Sequence, residues 1–311
     1  TGDPVDGAPG VINLEQGWSA EVQDEAWFLT FGSRLMPYSW FLALEQPGGG
    51  GLLRDRDFLA TLGFLAQQAS ANNPDGLPVG FSRDDADHVP WVGLTCAACH
   101  TGEVHFKGAR LRIDGGQSLI DFTAFESAVI EAMSYTLADP GRFERFAQRV
   151  RATSEDVRDA ASFDNRLKVA LIERAEALDA RRRMNATDVA YGHGRLDAFG
   201  QIFNAAAVEF LGLPENRRSP DAPVSFPVLW SAPHLDRVQW NGSAPNAGPG
   251  PLVQNVTTAL AVYGHIDMSG DGLVPGYPSS VHLDNLAKIQ NWLYDLKSPL
   301  WPENILGGID R

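Results

Sequence analysis

A Cys-Ala-Ala-Cys-His run at residues 96–100 constrains this chain more than any other feature. Cys96 and Cys99 are the only two cysteines in the sequence, and His100 follows directly. The pattern Cys-x-x-Cys-His is the attachment signal of c-type haem. Its spacing has a chemical reason, because the two thiols add to the two vinyl groups of one porphyrin while the next imidazole ligates the iron. The sequence therefore predicts one haem c, bound covalently through Cys96 and Cys99, with His100 as the proximal iron ligand.

Three other uses of the cysteine pair fit the sequence less well. A redox-active Cys-x-x-Cys pair is typical of a βαβ pattern, and none surrounds residues 96–99. A zinc site needs two more good ligands, and the sequence has no second Cys-x-x-Cys. A structural disulfide across two intervening residues would be strained and would leave His100 unexplained. Haem attachment is the interpretation that uses all three residues.

Composition narrows the range of partners and compartments. The chain carries a formal net charge of −14, which argues against nucleic acid as a partner. No apolar run approaches the ~20 residues that a membrane span needs. Thioether ligation of haem takes place outside the cytoplasm, so we expect a periplasmic or secreted protein. The chain opens without a charged and apolar leader, which predicts that a signal peptide has already been removed.

The hydrophobic pattern predicts a mainly α fold, with a cytochrome c-like haem domain embedded in long irregular loops and little β structure. Residues 1–52 are expected to form an N-terminal arm and aromatic segment, and residues 53–311 a haem domain with helical and loop-rich insertions. Weak alternation over residues 104–113 indicates a hairpin, and the proline-rich residues 214–255 are expected to be loops. Helical periodicity predicts helices over residues 55–69, 121–137, 140–152, 163–184 and 283–296.

The sixth iron ligand decides what a c-type haem does, and the sequence leaves it open. His193, His265 and Met268 are the candidates. His193 lies between two glycines, which allow the backbone a close approach, and the nearby Arg195 is suited to pair with a haem propionate. The alternative for each candidate is an ordinary loop or core residue, which is the more common role of a lone histidine.

A second metal is indicated only weakly. The segment from Asp267 to Asp271 has the acidic and glycine content of a short calcium loop. It lacks the twelve-residue pattern and the terminal bidentate glutamate of such a loop. A calcium ion near Asp267 and Asp271 is therefore the weaker alternative to a plain turn.

Six segments form a further pattern in order along the chain. They are Pro-Tyr-Ser-Trp-Phe-Leu-Ala-Leu-Glu at 37–45, Asn-Pro-Asp-Gly-Leu-Pro-Val-Gly-Phe at 73–81, Val-Gly-Leu-Thr-Cys-Ala-Ala-Cys-His-Thr-Gly-Glu at 92–103, Gly-x-Gly-Arg-x-Asp at 192–197, Val-Gln-Trp-Asn-Gly at 238–242 and Trp-Pro-x-x-x-Leu at 301–306. Together they resemble the haem rubber oxygenases and their relatives in the di-haem cytochrome c peroxidase superfamily.

That resemblance implies a helical, coil-rich fold in which the haem matching His100 is the reactive one. Its iron would bind dioxygen in rubber oxygenases and meet hydrogen peroxide in peroxidases. The resemblance also gives Tyr191, Arg195 and Asp197 a catalytic role in the haem environment. Family members often have Trp where this chain has Tyr191, which puts an electron-relay role for that residue in doubt.

The family pattern includes a second Cys-x-x-Cys-His, which this sequence lacks. Three explanations are open: the sequence is a fragment of a longer protein, a second chain supplies the rest, or the family plan is reduced to one haem. The expected partners are a redox partner protein or a second haem-bearing chain or segment, and a small oxidant or an organic substrate. The favoured hypothesis is an oxidoreductase of the haem peroxidase or dioxygenase type with an open sixth position. The alternatives are an electron-transfer cytochrome with a protein ligand on both sides of the iron, belonging to a multi-haem redox complex, and a haem-bearing scaffold.

Overall fold

The computed structural model of the chain describes residues 10–86, 88–106, 108–154, 157–269 and 277–309. Of these residues, 44% are helical and 13% lie in strands. Helix dominates, as the hydrophobic pattern predicts. The strands form several small sheets, so the fold is a mixed one with more β organisation than the sequence indicated.

Ten short strands are described, and most lie in two three-stranded sheets. They are β1 (Val11–Asn13), β2 (Met36–Pro37), β3 (Phe81–Asp84), β4 (Trp91–Leu94), β5 (Thr101–Phe106), β6 (Ala109–Asp114), β7 (Arg195–Leu196), β8 (Val224–Ser225), β9 (Arg237–Val238) and β10 (Ala244–Pro245). One sheet has the order β1-β6-β5, with β1 parallel to β6 and a β5-β6 hairpin. The other has the antiparallel order β2-β4-β3, and β7-β8 and β9-β10 are two-stranded ribbons.

Eleven α-helices are described, and a π-helical turn over Ala205–Phe210 continues the eighth. They are α1 (Ala20–Phe28), α2 (Tyr38–Ala43), α3 (Arg56–Thr61), α4 (Cys96–Cys99), α5 (Phe122–Ala138), α6 (Pro140–Ala152), α7 (Ala160–Met184), α8 (Ala198–Asn204), α9 (Gly250–Ala261), α10 (Leu283–Leu293) and α11 (Glu303–Leu306). None of the described helices is both long and apolar enough to cross a membrane.

The predicted helices α5, α6, α7 and α10 and the hairpin β5-β6 are confirmed. The predicted helix over residues 55–69 is wrong in length, because α3 already ends at Thr61. Gly63 follows with φ +86°, where a Cβ would lie 2.0 Å from the Leu119 carbonyl oxygen, so the chain turns away at that point. The prediction of loops throughout residues 214–255 missed α9, whose Pro251 lies in the first turn, where a proline costs no hydrogen bond.

The main core is an aromatic cluster that joins the N-terminal segment to the middle of the chain. The ring of Phe64 lies 4.9 Å from that of Phe125 and 5.0 Å from that of Phe81, and Phe41 lies 5.2 Å from Phe81. Rings at these separations contribute packing energy beyond their buried area. The residues predicted as an arm and aromatic segment therefore share one core with the helices that follow.

Helix α4 stands where three apolar clusters meet. Ala98 and Cys99 belong to the main core, while Ala97 packs in a small cluster with Trp27, Phe28 and Val79. Cys96 packs against a third cluster, built largely from α1, α9 and α10. The short helix that carries the cysteines is thus held from three sides.

Candidate haem site

The haem motif (residues 96–100) lies on a single helical turn between the two sheets. Thr95 caps this turn, since its side-chain oxygen accepts from the Ala97 N–H at 3.2 Å and its hydroxyl donates to the Trp27 carbonyl at 3.0 Å. The His100 N–H donates to the Cys96 carbonyl at 3.0 Å and closes the turn. Gly80 lies against it so closely that a Cβ there would be 2.3 Å from the Ala98 Cα. The local fold therefore fixes the spacing of the two thiols and the imidazole.

One ring nitrogen of His100 is held by the protein. Nδ1 lies 2.8 Å from the Pro227 carbonyl oxygen, which can only accept, so Nδ1 carries the proton. Nε2 then keeps its lone pair, and no described residue forms a hydrogen bond with it. Burial lowers the pKa of His100, which favours the neutral imidazole. A backbone carbonyl that orients the far nitrogen is typical of metal-ligating histidines.

The environment of the two thiols favours the protonated form over the thiolate that redox or zinc chemistry uses. Both are free and half-buried. Burial raises the pKa of Cys96 to about 11 and that of Cys99 to about 12. A thiol that attacks a disulfide or binds zinc reacts as the thiolate and has a lowered pKa. In addition, no cluster of three or more His, Cys, Asp or Glu side chains suited to a metal ion occurs in the part of the chain described.

The second predicted segment, residues 192–197, lies beside the haem motif through a short ribbon. Arg195 pairs with Ser225 across β7-β8, and the Phe226 N–H donates to the Gly194 carbonyl at 3.1 Å. One residue further, the Pro227 carbonyl accepts from His100. Gly194 has φ +73°, and its N–H donates to the Ile120 carbonyl at 2.9 Å. The ribbon can therefore approach Ile120 this closely because residue 194 is a glycine.

The side chains of Tyr191, just before this segment, and of Asp197, at its end, form hydrogen bonds with backbone groups. The buried Tyr191 hydroxyl donates to the Pro220 carbonyl, and burial raises its pKa to about 12. The buried Asp197 carboxylate caps α8 by accepting from Gly200 N–H at 2.9 Å, and it also accepts from Ala222 N–H at 3.0 Å. Both residues hold the stretch that leads into β8 and on to Pro227. Their geometry is that of positioning residues, while their predicted catalytic role stays a prediction.

Arg195 has a different environment. Its backbone is fixed in β7, but its side chain is exposed, and no ion pair with another described residue is formed. A guanidinium next to the ribbon that holds His100 is free to bind an anionic group. The predicted propionate contact is compatible with this placement.

Among the candidate sixth ligands, His193 lies close to the motif. Its Nδ1 lies 2.8 Å from the Leu119 carbonyl oxygen, and the neighbouring Ser118 N–H donates to the Cys99 carbonyl at 3.1 Å. Like His100, it therefore presents an Nε2 lone pair. His265 is exposed and Met268 is half-buried. Their segment is tied instead to residues 277–280, as by the Ser280 N–H that donates to the His265 carbonyl at 2.9 Å.

The weak calcium prediction gains nothing from the geometry. Asp267 accepts from the Ser269 N–H at 2.9 Å, which lowers its pKa and forms an ordinary turn. Asp271 lies outside the described residues.

The residues present fit a c-type haem. The donor set consists of two protonated thiols three residues apart and an imidazole with an oriented Nε2, next to apolar side chains and one exposed arginine. Sequence reasoning missed Pro227, which lies 127 residues from His100 and has no motif of its own. It also passed over Thr95, although a threonine directly before a helical turn is a readable capping signal.

Comparison with known proteins identifies a relative about twice this length. An uncharacterised protein of Sinorhizobium fredii, y4iJ, is 33% identical over 335 aligned residues. The alignment covers 96% of this chain and 54% of y4iJ, so the chain spans about half the length of this relative. No protein family model matches the chain, and no solved structure matches it.

Proposed function

We propose that this protein binds one haem c through Cys96, Cys99 and His100 and acts as an oxidoreductase of the di-haem peroxidase or rubber oxygenase type. The observation that carries the proposal is the hydrogen bond from His100 Nδ1 to the Pro227 carbonyl. It selects the tautomer whose Nε2 can ligate iron, and it does so at the position that the Cys-x-x-Cys-His signal specifies.

When bound, the haem would supply an iron that activates dioxygen or peroxide, with His100 as its ligand from the protein. The chain's own residues set the conditions for that chemistry. The Pro227 carbonyl holds the imidazole in one orientation, and its acceptor strength makes Nε2 a stronger donor. Tyr191 and Asp197 fix the loop that places this carbonyl. Arg195 is available to bind a propionate.

The compartment and partners follow as parts of the same proposal. Covalent haem attachment is completed outside the cytoplasm, which places the protein in a periplasm or outside the cell. The net charge of −14 favours a basic redox partner. The resemblance to di-haem proteins, with a relative nearly twice as long, makes a second haem-bearing segment or chain the expected electron source.

A second candidate function is electron transfer by a six-coordinate haem. The observation that favours it is His193, whose Nδ1 is bonded to the Leu119 carbonyl in the same manner as His100. A histidine fixed in that tautomer is suited to cap the distal side. The protein would then pass electrons without binding an oxidant.

The deciding experiment is optical and EPR spectroscopy of the ferric and ferrous protein, expressed with a haem c maturation system. For the oxidoreductase we expect covalent haem, a high-spin ferric signal and rapid CO binding to the ferrous form. His100→Ala should keep the covalent haem but change the spectrum. The matched control is His105→Ala, since His105 is exposed and bonded to Glu103 at 2.7 Å.

Each outcome separates the candidates. A low-spin ferric spectrum that ignores CO, and that becomes high-spin in His193→Ala, would establish the electron-transfer function instead. Absence of covalent haem in the wild-type protein, or a spectrum that His100→Ala leaves unchanged, would overturn the proposal altogether.

A further inference from the structure

Trp27 lies directly behind the helical turn that carries the cysteines. Its side chain is 2% exposed and packs in the same small cluster as Ala97, which stands between Cys96 and Cys99. Its carbonyl accepts from the Thr95 hydroxyl at 3.0 Å. Trp27 is therefore tied to the start of the turn through its backbone carbonyl, which binds the capping residue Thr95.

The indole N–H of Trp27 donates to a buried carboxylate, Asp114, at 2.7 Å. Asp114 is itself 2% exposed. In the β5-β6 ladder it lies opposite Thr101, the residue that follows His100. The Trp27–Asp114 pair thus bridges the two ends of the haem motif, one partner next to Thr95 and the other next to Thr101.

The partners of Asp114 are neutral. Its other carboxylate oxygen accepts from the Gln23 amide at 2.5 Å, and Gln16 bonds its backbone on both sides at 2.8 Å. The neighbouring Arg112 has its ion pair with Glu103, at 2.8 Å. The hydrogen bonds from Gln23 and Trp27 and the nearby Arg112 charge offset only part of the cost of burying this carboxylate, so burial raises the pKa of Asp114 and makes the carboxylate a stronger proton acceptor than a solvated one.

The charge next to the indole ring determines which oxidised form of Trp27 this site would accept. The Arg112 guanidinium lies 5.4 Å from the ring centroid. A cation over the ring face stabilises a neutral indole and repels a positively charged one. Although Glu103 compensates part of this charge, oxidation of the indole is more favourable when the N–H proton leaves with the electron, and Asp114 is the acceptor at hydrogen-bond distance.

We propose that Trp27 is a one-electron donor to the haem held by the motif and that Asp114 takes up its indole proton. One electron passes from the indole to a haem that hydrogen peroxide has oxidised, and the N–H proton moves to Asp114 Oδ1. The indole becomes a neutral radical and Asp114 a neutral acid. An external one-electron reductant, such as a small phenol or a redox protein, then returns the electron, and the proton returns to nitrogen. The inference rests on the haem binding proposed above but not on peroxide as the natural oxidant.

The simpler alternative is a structural hydrogen bond that ties α1 to β6. The two interpretations differ in what Asp114→Asn does. The amide oxygen still accepts the indole N–H and preserves the tie, but an amide cannot take up the proton. A structural pair predicts a small change in stability and no change in electron transfer.

The first test uses the ferric haem protein, with ring-deuterated tryptophan, mixed with hydrogen peroxide and frozen for EPR. We expect a neutral tryptophan radical whose hyperfine pattern narrows on deuteration and which Trp27→Phe abolishes. The matched control is Trp40→Phe, because Trp40 is also buried and packs at 6.2 Å against Phe146, with no carboxylate as a described partner. Asp114→Asn should lower the radical yield about tenfold or more, because the amide cannot take up the indole proton.

A second test separates this inference from the proposed reaction. In the full chain with zinc in place of iron, a light flash and an electron acceptor produce an oxidised porphyrin without peroxide. Its re-reduction should slow about tenfold or more in Trp27→Phe, and Asp114→Asn should remove the solvent deuterium isotope effect. If Trp27→Phe does not fold, Asp114→Asn decides the question.

The outcomes are distinct. If peroxide leaves the iron spectrum unchanged but the zinc protein shows the Trp27 effect, the peroxide reaction fails and this inference stands. If peroxide reacts and both variants behave like the wild type and Trp40→Phe, the inference is overturned and the pair is structural.

Discussion

Helix α5 of the main core and helix α9 are similarly apolar, yet they are packed differently. Nine of the seventeen residues of α5 are buried. In α9 only Ala259 is buried, although this helix also carries Leu252, Val253 and Val256. On α8, Phe199 and Phe203 are exposed on the surface.

The difference follows from what each region packs against. Helix α5 is covered by α6 and α7 and by the aromatic cluster around Phe125, so protein side chains alone complete it. The side chains of Leu252 and Val256 instead pack in the cluster that includes Cys96. The first region is stabilised by the chain itself, whereas α9 packs in part against the residue that the proposal joins to haem.

The comparison is tested most strongly by deleting matched aromatic rings. Phe125→Ala should cost about 3–5 kcal/mol of unfolding free energy, because a fully buried ring leaves a cavity. Phe203→Ala, at a side chain 42% exposed, should cost less than ~1 kcal/mol. Denaturant unfolding of both variants measures the two values. Similar losses would mean that the α8 region is packed as tightly as the core.

A smaller effect is expected from removing the haem attachment. In Cys96→Ala/Cys99→Ala, we expect backbone amides of α9 to exchange with solvent about tenfold faster than in the haem protein, since Leu252 and Val256 lose the partner attached at Cys96. Exchange in α5 should stay the same. Hydrogen-exchange mass spectrometry measures both, with His105→Ala as the control. A uniform increase across α5 and α9 would contradict the division into two regions.

The smallest expected effect concerns acid stability of the main core. Glu45 accepts from three arginines of α6, with Arg145 at 2.7 Å, Arg149 at 3.1 Å and Arg142 at 3.3 Å. These partners lower its pKa from 4.5 to about 2. Since the folded pKa is the lower one, the contribution to stability is present above pH 4.5 and is lost as the pH falls toward about 2.

The variant Glu45→Gln isolates this contribution. We expect a loss of about 1 kcal/mol at neutral pH, well below the full linkage value because solvent screens the exposed arginines. The difference from the wild type should shrink between pH 4.5 and about 2 in urea unfolding curves. A pH-independent difference would mean that Glu45 acts through packing alone.

Local signals in the sequence account for the parts of the fold that were predicted correctly. Helices α5, α6 and α7 each start after an aspartate that accepts a backbone N–H, at Asp121, Asp139 and Asp159, and each carries helical spacing of apolar residues. The Cys-x-x-Cys-His spacing is equally local. In contrast, α9 follows a stretch of prolines and glycines, and such a composition is typical of loops.

The contacts that complete the candidate site join distant parts of the chain. Pro227 reaches His100 across 127 residues, and Asp114 reaches Trp27 across 87. Neither pair has a spacing or residue type that marks it before the chain is folded. Residue chemistry predicts which side chains would bind a haem, and only the tertiary structure could supply the contacts that orient them.

The close approach of Gly80 to Ala98 has a consequence for when the proposed haem could be attached. A Cβ at residue 80 would already collide with the turn, so no space remains on that side once β3 pairs with β4. The thiols of the folded chain are also half-buried, and burial raises the pKa of both. The proposed haem would therefore have to be attached before the turn is enclosed, so that the modified polypeptide is the one that folds.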